Sequence, residues 1–148
     1  MIFMSLKLST KCRYGARAIF EIAKNYGKRP TKRKDIAQTQ EISESYLENI
    51  LLALKSNGLI DTVRGAQGGY QLGRAPSAVT LFQIVEALEG SLDLVDCLAD
   101  SASCNRIDNC TMRGVWSDLK KAMEETLSRV TLQDLLDKNK TEALSFCI

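Results

Sequence analysis

The sequence predicts a mainly α-helical protein with one small β-hairpin, in which a winged helix-turn-helix head precedes a long C-terminal dimerisation helix. Two observations support this class. Apolar residues recur at intervals of three and four along most of the 148 residues, and one glycine-rich turn separates two short runs of strand-forming residues. We expect the head at 1–78, an irregular segment at 91–111 and the long helix within 79–137, and a tail at 138–148.

The first predicted helix runs from about Thr10 to Tyr26 and ends at Gly27. Its apolar stripe consists of Tyr14, Ala18, Ile22 and Tyr26, with Ile19 and Ala23 beside them. We expect Thr31 to cap a short second helix, and residues 40–41 to turn into a third helix.

The third helix has one apolar and one polar face, and Ser43 is its expected N-cap. Its apolar residues are Leu47, Ile50, Leu51 and Leu54, and its polar residues are Ser45, Glu48, Asn49 and Lys55. Two helices joined by a short turn, the second exposing short polar groups and a cation, are typical of a motif that enters the major groove of DNA. An ordinary helical hairpin is the alternative on these residues alone.

A β-wing is predicted directly after the third helix. Residues 59–63 and 70–72 form its strands, and residues 64–69 form a glycine-rich turn that carries Arg64 and Gln67. Because glycine has no side chain to collide, this turn can closely approach a phosphate backbone or a narrow minor groove. A hairpin without a ligand also tolerates glycine, so the interpretation depends on the preceding helices.

Charge divides the chain into two halves. Residues 1–74 carry thirteen Lys and Arg against six Asp and Glu, a net charge of +7, whereas residues 75–148 carry seven against twelve, a net charge of −5. The basic run that ends at residue 34 includes Lys32 and Arg33, which we expect to contact DNA. A basic run alone is more often a solvated surface, but beside a helix-turn-helix it favours double-stranded DNA as the partner.

The acidic half predicts a short helix, an irregular segment and a long helix. Thr80 and Gln83 form a capping box for the short helix, and residues 91–111 lack a sustained period. From about Met112 to Val130 an apolar stripe returns, formed by Val115, Trp116, Leu119, Met123, Leu127 and Val130. The head leaves little surface to cover this stripe, so we expect a homodimer, which also suits palindromic DNA. A last short turn and a poorly ordered tail are expected to follow.

The chain contains five cysteines and no histidine. The lack of histidine excludes Ser-His and Cys-His nucleophile pairs, and no nucleotide-binding glycine motif is present, so we expect no enzyme. Without an export signal or a membrane span, we expect a cytoplasmic protein whose thiols stay reduced. Metal binding or redox chemistry is then the expected use of the cysteines.

Cys97, Cys104 and Cys110 are the predicted metal ligands. Their spacing is wider than the Cys-x-x-Cys knuckles of structural zinc sites, whereas ligands spread along an open loop can surround an iron–sulfur cluster. Three thiolates leave such a cluster one ligand short of the usual four. Zinc is one alternative. The other is a set of loop thiols without a cofactor, two of which form a reversible disulfide.

The chain resembles the iron–sulfur cluster regulator family of bacterial winged-helix repressors, which includes the IscR and NsrR types. The resemblance covers residues 8 to about 136. It rests on LSTKCRY at 8–14, ISESYLE at 42–48, VRGAQGGY at 63–70, the three cysteines and Trp116.

This resemblance implies a homodimer with crossing C-terminal helices and a cluster, expected to be [2Fe–2S], beside the partner's head. It also implies that Ser43, Ser45 and Glu48 lie at the major groove, and Arg64 at the minor groove. Glu48 would accept a hydrogen bond from a cytosine amino group.

The family's known fourth ligands are missing. Arg113 stands where IscR-type members have a histidine, and Arg13 stands where NsrR-type members have an aspartate from the partner subunit. Cys12, beside that second position, is our candidate, with an ordinary small helix residue as the alternative. Cys147, Asp108 and a small exogenous ligand stay open.

The expected function is a transcriptional repressor whose operator affinity is controlled by the cluster. A regulator of the same fold switched by a thiol–disulfide reaction is the first alternative. An iron–sulfur carrier that does not bind DNA is the second, and the +7 charge of the head opposes it.

Overall fold

The computed structural model describes residues 6–146 of the chain. The helices are α1 (Thr10–Lys24), α2 (Arg33–Gln40), α3 (Glu44–Ser56), α4 (Leu81–Glu89), α5 (Asp96–Ala99), α6 (Thr111–Ser128) and α7 (Leu132–Phe146). The strands are β1 (Ile60–Val63) and β2 (Gly69–Leu72), and single 3₁₀ turns lie at Pro76–Ala78, Ser101–Ser103 and Ile107–Asn109. The predicted fold class, mainly helical with one hairpin, is confirmed. None of the helices in this range is long and apolar enough to cross a membrane.

One hydrophobic core unites the head with α4 and the start of α7. α1 lies at its centre and contacts α2, α3, α4 and α7. The core includes Ile19, Ile22, Leu47, Ile50, Leu51, Leu54, Ile84, Val85, Leu88 and Leu132. The predicted stripes of the first and third helices are therefore buried, with two exceptions: Tyr14 is half-buried against the core, and Tyr26 is 47% exposed because α1 ends two residues earlier, at Lys24.

Thr31 pairs with the wing instead of capping α2. Its backbone N–H donates to the Tyr70 carbonyl at 2.7 Å, and the Tyr70 N–H donates to the Thr31 carbonyl at 2.8 Å. The Thr31 hydroxyl accepts a hydrogen bond from Asn25 Nδ2 at 2.9 Å. The exposed residue Lys32 is the N-cap of α2 and makes no side-chain capping bond. The wing is thereby fastened to the start of the helix-turn-helix.

The long helix α6 carries the predicted apolar stripe, and the two ends of this stripe differ in burial. Met123 and Leu127 are half-buried and line a groove together with Val85 of α4. Nearer the N-terminus of α6, the residues Val115 and Leu119 of the same stripe are 53% and 40% exposed. Within the described range, α6 contributes no fully buried residue. This N-terminal part of the stripe is left uncovered by the described residues of the single chain.

The C-terminal helix is much longer than the single turn that we predicted. Thr131 and Asp134 do form its start: the Thr131 N–H donates to Asp134 Oδ2 at 2.8 Å, and the Asp134 N–H donates to the Thr131 hydroxyl at 3.1 Å. The backbone hydrogen bond from Thr131, with that from its hydroxyl, holds the pKa of Asp134 below its usual value. α7 continues to Phe146 because no glycine or proline follows Leu132 to stop it. Cys147 lies outside the described residues.

Candidate nucleic-acid interface and cysteine segment

α3 exposes the polar face that the sequence predicted. Its N-cap is Ser43, whose hydroxyl accepts a hydrogen bond from the Tyr46 backbone N–H at 3.3 Å. The exposed polar residues of the helix include Ser45, Glu48, Asn49 and Lys55. Lys55 Nζ donates to the Thr62 hydroxyl of β1 at 2.9 Å, so the last turn of α3 is fixed against the wing.

Arg33 of α2 connects the second helix to the exposed face of α3. Its Nη1 lies 3.3 Å from Glu48 Oε2, and its Nε lies 3.4 Å from Glu44 Oε2. The contact with Glu44 lacks hydrogen-bond geometry, and the buried Nε has no hydrogen-bond partner in the described part of the chain. The guanidinium therefore faces two carboxylates without being locked to either. The sequence predicted a DNA contact at Arg33 but gave no sign of this pairing.

Arg17 of α1 holds the turn between α2 and α3. Its Nε donates to Gln40 Oε1 at 2.6 Å, and its Nη2 donates to the Gln40 carbonyl at 2.9 Å. The next residue, Glu41, turns the chain with a left-handed φ of 54°. The guanidinium also lies 5.2 Å from the centroid of the Tyr14 ring, and Tyr14 meets Tyr46 edge to face. Arg17 positions α3, and no local motif in the sequence indicates this role.

The wing carries Arg64 and Gln67 on its turn, and both are exposed. Gly65 has a φ of 108°, a conformation that favours glycine. A Cβ on Gly68 would collide with the backbone of the wing itself. The turn therefore depends on glycine for its shape, and that shape projects one guanidinium and one amide outward.

The three predicted ligands lie on the segment between α4 and α6. Cys97 is half-buried within α5, whereas Cys104 and Cys110 are exposed, and all three are free thiols. The segment contains one short helix and two 3₁₀ turns, where we expected irregular structure throughout. Between residues 6 and 146, no three Cys, Asp or Glu side chains form a group that could hold a metal ion. The thiols suit an iron–sulfur cluster chemically, but the segment must rearrange to bring them together.

Asp93 and Lys120 fix the start of this segment to α6. Lys120 Nζ donates to Asp93 Oδ1 at 2.5 Å, and the Ser91 hydroxyl donates to the same carboxylate. The hydrogen bond from Lys120, followed by that from Ser91, lowers the pKa of Asp93. The hydrogen bond to Asp93 raises the pKa of Lys120. Sequence reasoning missed this pair because it joins a loop to a distant helix.

Arg113 makes a second tether between α6 and the segment. Its Nη2 donates to the Cys97 carbonyl at 3.3 Å, and its buried Nε has no hydrogen-bond partner among the described residues. The residue thus supports the backbone of α5 from the first turn of α6. Asp108, which stayed open as a fourth ligand, is exposed in a 3₁₀ turn nearby in sequence.

Cys12 lies in the core beside Glu89 and is 1% exposed. Burial, then the negative charge of Glu89 and a hydrogen bond to it, raise the pKa of Cys12 to about 12. In the single chain Cys12 is thus a buried core thiol, and its role as a fourth ligand stays a prediction, as does the alternative of a small helix residue.

Glu89 also joins the end of α4 to the start of α1. Its Oε1 accepts a hydrogen bond from the Ser9 backbone N–H at 2.6 Å, and the Ser9 hydroxyl accepts one from the Cys12 N–H at 3.0 Å. Ser9 is the N-cap of α1. Gly90, with a φ of 82°, follows Glu89 and begins the path to the cysteines. The cysteine segment is therefore continuous with a contact that caps the central helix of the head.

Comparison with known proteins identifies the family. The Rrf2 family, described as iron-dependent transcriptional regulators, matches residues 8–138. The transcriptional regulator CymR of Bacillus subtilis is 41% identical over 130 residues, covering 88% of this chain and 89% of CymR. The transcriptional regulator IscR of Klebsiella pneumoniae is 33% identical over 132 residues, covering 89% of this chain and 80% of IscR. These relatives are regulators, not enzymes, as the sequence predicted.

Solved structures agree with these matches. The structure of B. subtilis CymR, described as the global cysteine regulator, has a TM-score of 0.75 and 40% identity over 90% of this chain and 98% of that one. The structure of T. potens IscR has a TM-score of 0.74 and 39% identity over 92% of this chain and 90% of that one. Sequence, fold and exposed helix-turn-helix surface lead to one conclusion: the chain belongs to the Rrf2 family of DNA-binding transcriptional regulators.

Proposed function

We propose that the protein is a homodimeric repressor whose operator affinity is set by an iron–sulfur cluster on Cys97, Cys104 and Cys110. The observation that carries this proposal is the location of three free thiols on one segment between α4 and α6. That segment is tethered to α6 and leads directly to the Glu89 contact at the start of α1.

The head binds operator DNA through α3 and the wing. The proposed contacts are Ser43, Ser45, Glu48, Asn49 and Lys55 at the major groove, Arg64 and Gln67 at the minor groove, and Lys32 and Arg33 at phosphates. Their support is exposure: all but the half-buried Arg33 are exposed side chains.

A randomised duplex library tests this surface. Selected duplexes are then titrated at several salt concentrations, and Lys32→Ala, which removes a proposed phosphate contact, should reduce the magnitude of the slope of log affinity against log salt by about 0.9. Glu48→Gln should change the base preference instead. The proposal fails if the wild-type protein binds no duplex in a salt-dependent manner.

The cluster, when bound, supplies a centre that responds to iron supply and oxidation. Gathering the three thiols requires the segment to move, because they do not converge in the described structure. The movement reaches α6 through Asp93 and Arg113, and α1 through Glu89. A coupling free energy of about 1–3 kcal/mol suffices to change operator affinity several-fold to a hundredfold.

Anaerobic purification and cluster reconstitution test the ligand set. The wild-type protein should bind iron and sulfide and absorb visible light, and Cys104→Ala should lose all three properties. Cys12→Ala is the matched control and should keep the cluster, because Cys12 lies in the core. A colourless wild-type protein after reconstitution contradicts the proposal.

The dimer forms through the exposed stripe of α6. Met112, Val115 and Leu119 are 50%, 53% and 40% exposed, which is unusual for three neighbouring apolar positions on one helix. A second copy of the same helix covers such a stripe symmetrically. Two heads held by one such interface also suit a palindromic operator.

Sedimentation equilibrium tests the interface. The double variant Val115→Asp, Leu119→Asp should be monomeric and bind the selected duplex much more weakly. Lys121→Asp, on an exposed position away from the stripe, should stay dimeric. A dimeric double variant excludes this surface as the interface.

A thiol–disulfide switch is the second candidate function. Cys104 and Cys110 are exposed free thiols, and CymR, described as a cysteine regulator, is more similar to this chain than the K. pneumoniae IscR. Mass spectrometry of oxidised protein should then show one defined disulfide, and Cys104→Ser should abolish the effect of oxidation on duplex affinity. A carrier without DNA binding finds no support among relatives that are transcriptional regulators.

A further inference from the structure

The exposed face of α3 is acidic at its start. Glu44 and Glu48 are both exposed in the first half of the helix. The only cation within α3 is Lys55, which lies in its last turn. Carboxylates are repelled by DNA phosphates, and the repulsion is strongest where water is excluded on binding. A recognition helix with this composition requires a compensating positive charge close to the two carboxylates.

Arg33 supplies that charge from α2. It lies 3.3 Å from Glu48 and 3.4 Å from Glu44, and it contacts Oε2 of Glu48 while no ion pair involves Oε1 in the described structure. Nε, which faces Glu44, has no hydrogen-bond partner among the described residues. Because Arg33 contacts only Oε2 of Glu48, Oε1 is left to accept a hydrogen bond, while the net charge around the carboxylate is reduced.

We propose that Arg33 is a specificity-determining residue that acts through Glu48. By reducing the charge of Glu48 from the Oε2 side, Arg33 allows this carboxylate to approach DNA and favours the presentation of Oε1 to a base amino group. This inference rests on the proposed function, in which α3 reads the major groove. It differs from the simpler role of Arg33 as a phosphate contact, in which Glu48 has no part.

The two roles predict different results in a double-mutant cycle. If Arg33 only contacts a phosphate, Arg33→Gln lowers duplex affinity by the same factor whether position 48 is Glu or Gln. If Arg33 neutralises Glu48, the loss is larger in the presence of Glu48 and shrinks after Glu48→Gln. Because the two side chains are 36% and 63% exposed, we expect a coupling of roughly two- to fivefold in affinity.

The experiment uses the full-length protein and a duplex selected from a randomised library by the wild type. Fluorescence anisotropy gives the affinities of the wild type, Arg33→Gln, Glu48→Gln and the double variant. Lys34→Gln is the matched control: Lys34 is exposed on the same helix and makes no salt bridge within residues 6–146. Its effect should be the same in both backgrounds. Thermal melting verifies that each variant is folded.

Base preference gives a second, independent measurement that a purely structural role does not alter. Repeating the selection with each variant should show that Arg33→Gln and Glu48→Gln change the preference at one shared base pair, and that Lys34→Gln changes none. Equal losses in both backgrounds, or an unchanged base profile for folded Arg33→Gln, overturn the inference while leaving DNA binding intact. Failure of the wild type to select any duplex instead overturns the proposed function itself.

Discussion

Gly15 of α1 packs directly against Leu88 of α4. A Cβ at Gly15 would collide with a Leu88 methyl group and would lie 3.1 Å from Ile50 Cγ2, so the glycine sets how closely the two helices approach. Glycine is otherwise costly inside a helix, by roughly 0.5–1 kcal/mol relative to alanine. The position is a steric requirement of the core rather than a requirement of backbone conformation.

Gly15→Ala should therefore destabilise the protein. The gain in helix propensity is about 1 kcal/mol, but overpacking a core costs about 1–3 kcal/mol, which leaves a net loss on the order of 1 kcal/mol. Gly114→Ala in α6 is the control, since a Cβ there meets nothing within 4 Å. It should stabilise the protein by roughly 0.5–1 kcal/mol. Urea denaturation measures the change in unfolding free energy for each variant. The prediction requires a decrease for Gly15→Ala and an increase for Gly114→Ala.

Asp93→Asn should loosen the cysteine segment and lower the free energy of unfolding by an amount that depends on pH. The folded-state pKa of Asp93 is lowered, so its stabilisation is present above the unfolded value of about 3.9 and is lost as the pH falls through the folded value. We expect the variant to lose on the order of 1 kcal/mol of unfolding free energy at pH 7. As the pH falls, its unfolding free energy should decrease less than that of the wild type. Urea denaturation between pH 3 and pH 7 checks this. Asp118→Asn, an exposed position on α6, is the control and should behave like the wild type.

Cys12 should make the protein sensitive to alkaline pH. Its folded-state pKa of about 12 lies above the unfolded value of about 8.5, so the stabilisation is complete below pH 8.5 and is lost as the pH rises toward 12. Cys12→Ala removes this dependence, although the lost sulfur leaves a small cavity that costs about 1 kcal/mol at neutral pH. Plotted against pH, the unfolding free energies of the wild type and of Cys12→Ala should thus converge as the pH rises from 7 to 11. If the two plots stay parallel, the titration does not belong to Cys12.

Gly68→Ala should impair DNA binding more than folding. A Cβ at this position collides with the wing backbone, so the turn must change shape and move Arg64. We expect at least a tenfold loss of duplex affinity, since a bound Arg64 contributes both charge and close fit, against a change of melting temperature of a few degrees. Ala66→Ser, on the exposed part of the same turn, is the control. Equal affinities for the variant and the wild type show that the wing does not contact DNA.

Local sequence signals predicted the fold well where they act over a few residues. The Ser43 cap, the Thr80–Gln83 capping box and the buried face of α3 appear as expected, because each depends on neighbours three or four positions away. α7 was predicted too short because its second half is polar and exposed, so periodicity gave no signal, although no residue stops the helix. The apolar stripe of α6 was predicted as a pattern, but periodicity does not report that its N-terminal part is exposed while Met123 and Leu127 are half-buried.

The candidate site was predicted in its residue types but not in its connections. Arg33, Glu48 and Lys55 were expected to face DNA, and they are grouped on one side of the head by α2, α3 and β1. The contacts of Arg17 with Gln40, and of Arg33 with Glu48, join different helices, so no periodic pattern reports them. The burial of Cys12 follows from the packing of α1 against α4, which a single helix cannot reveal.

The Glu89–Ser9 hydrogen bond has a consequence for the cysteines themselves. It joins the end of α4, which precedes the cysteine segment, to Ser9, the N-cap of α1. A shift of the cysteine segment therefore changes the free energy of a contact that the head also makes. Linkage is reciprocal: if cluster binding changes operator affinity by a given factor, operator binding changes cluster affinity by the same factor. The operator is then an effector of the metal chemistry. Protein bound to its operator and protein free in solution would then differ in cluster affinity, and would lose their clusters at different iron concentrations.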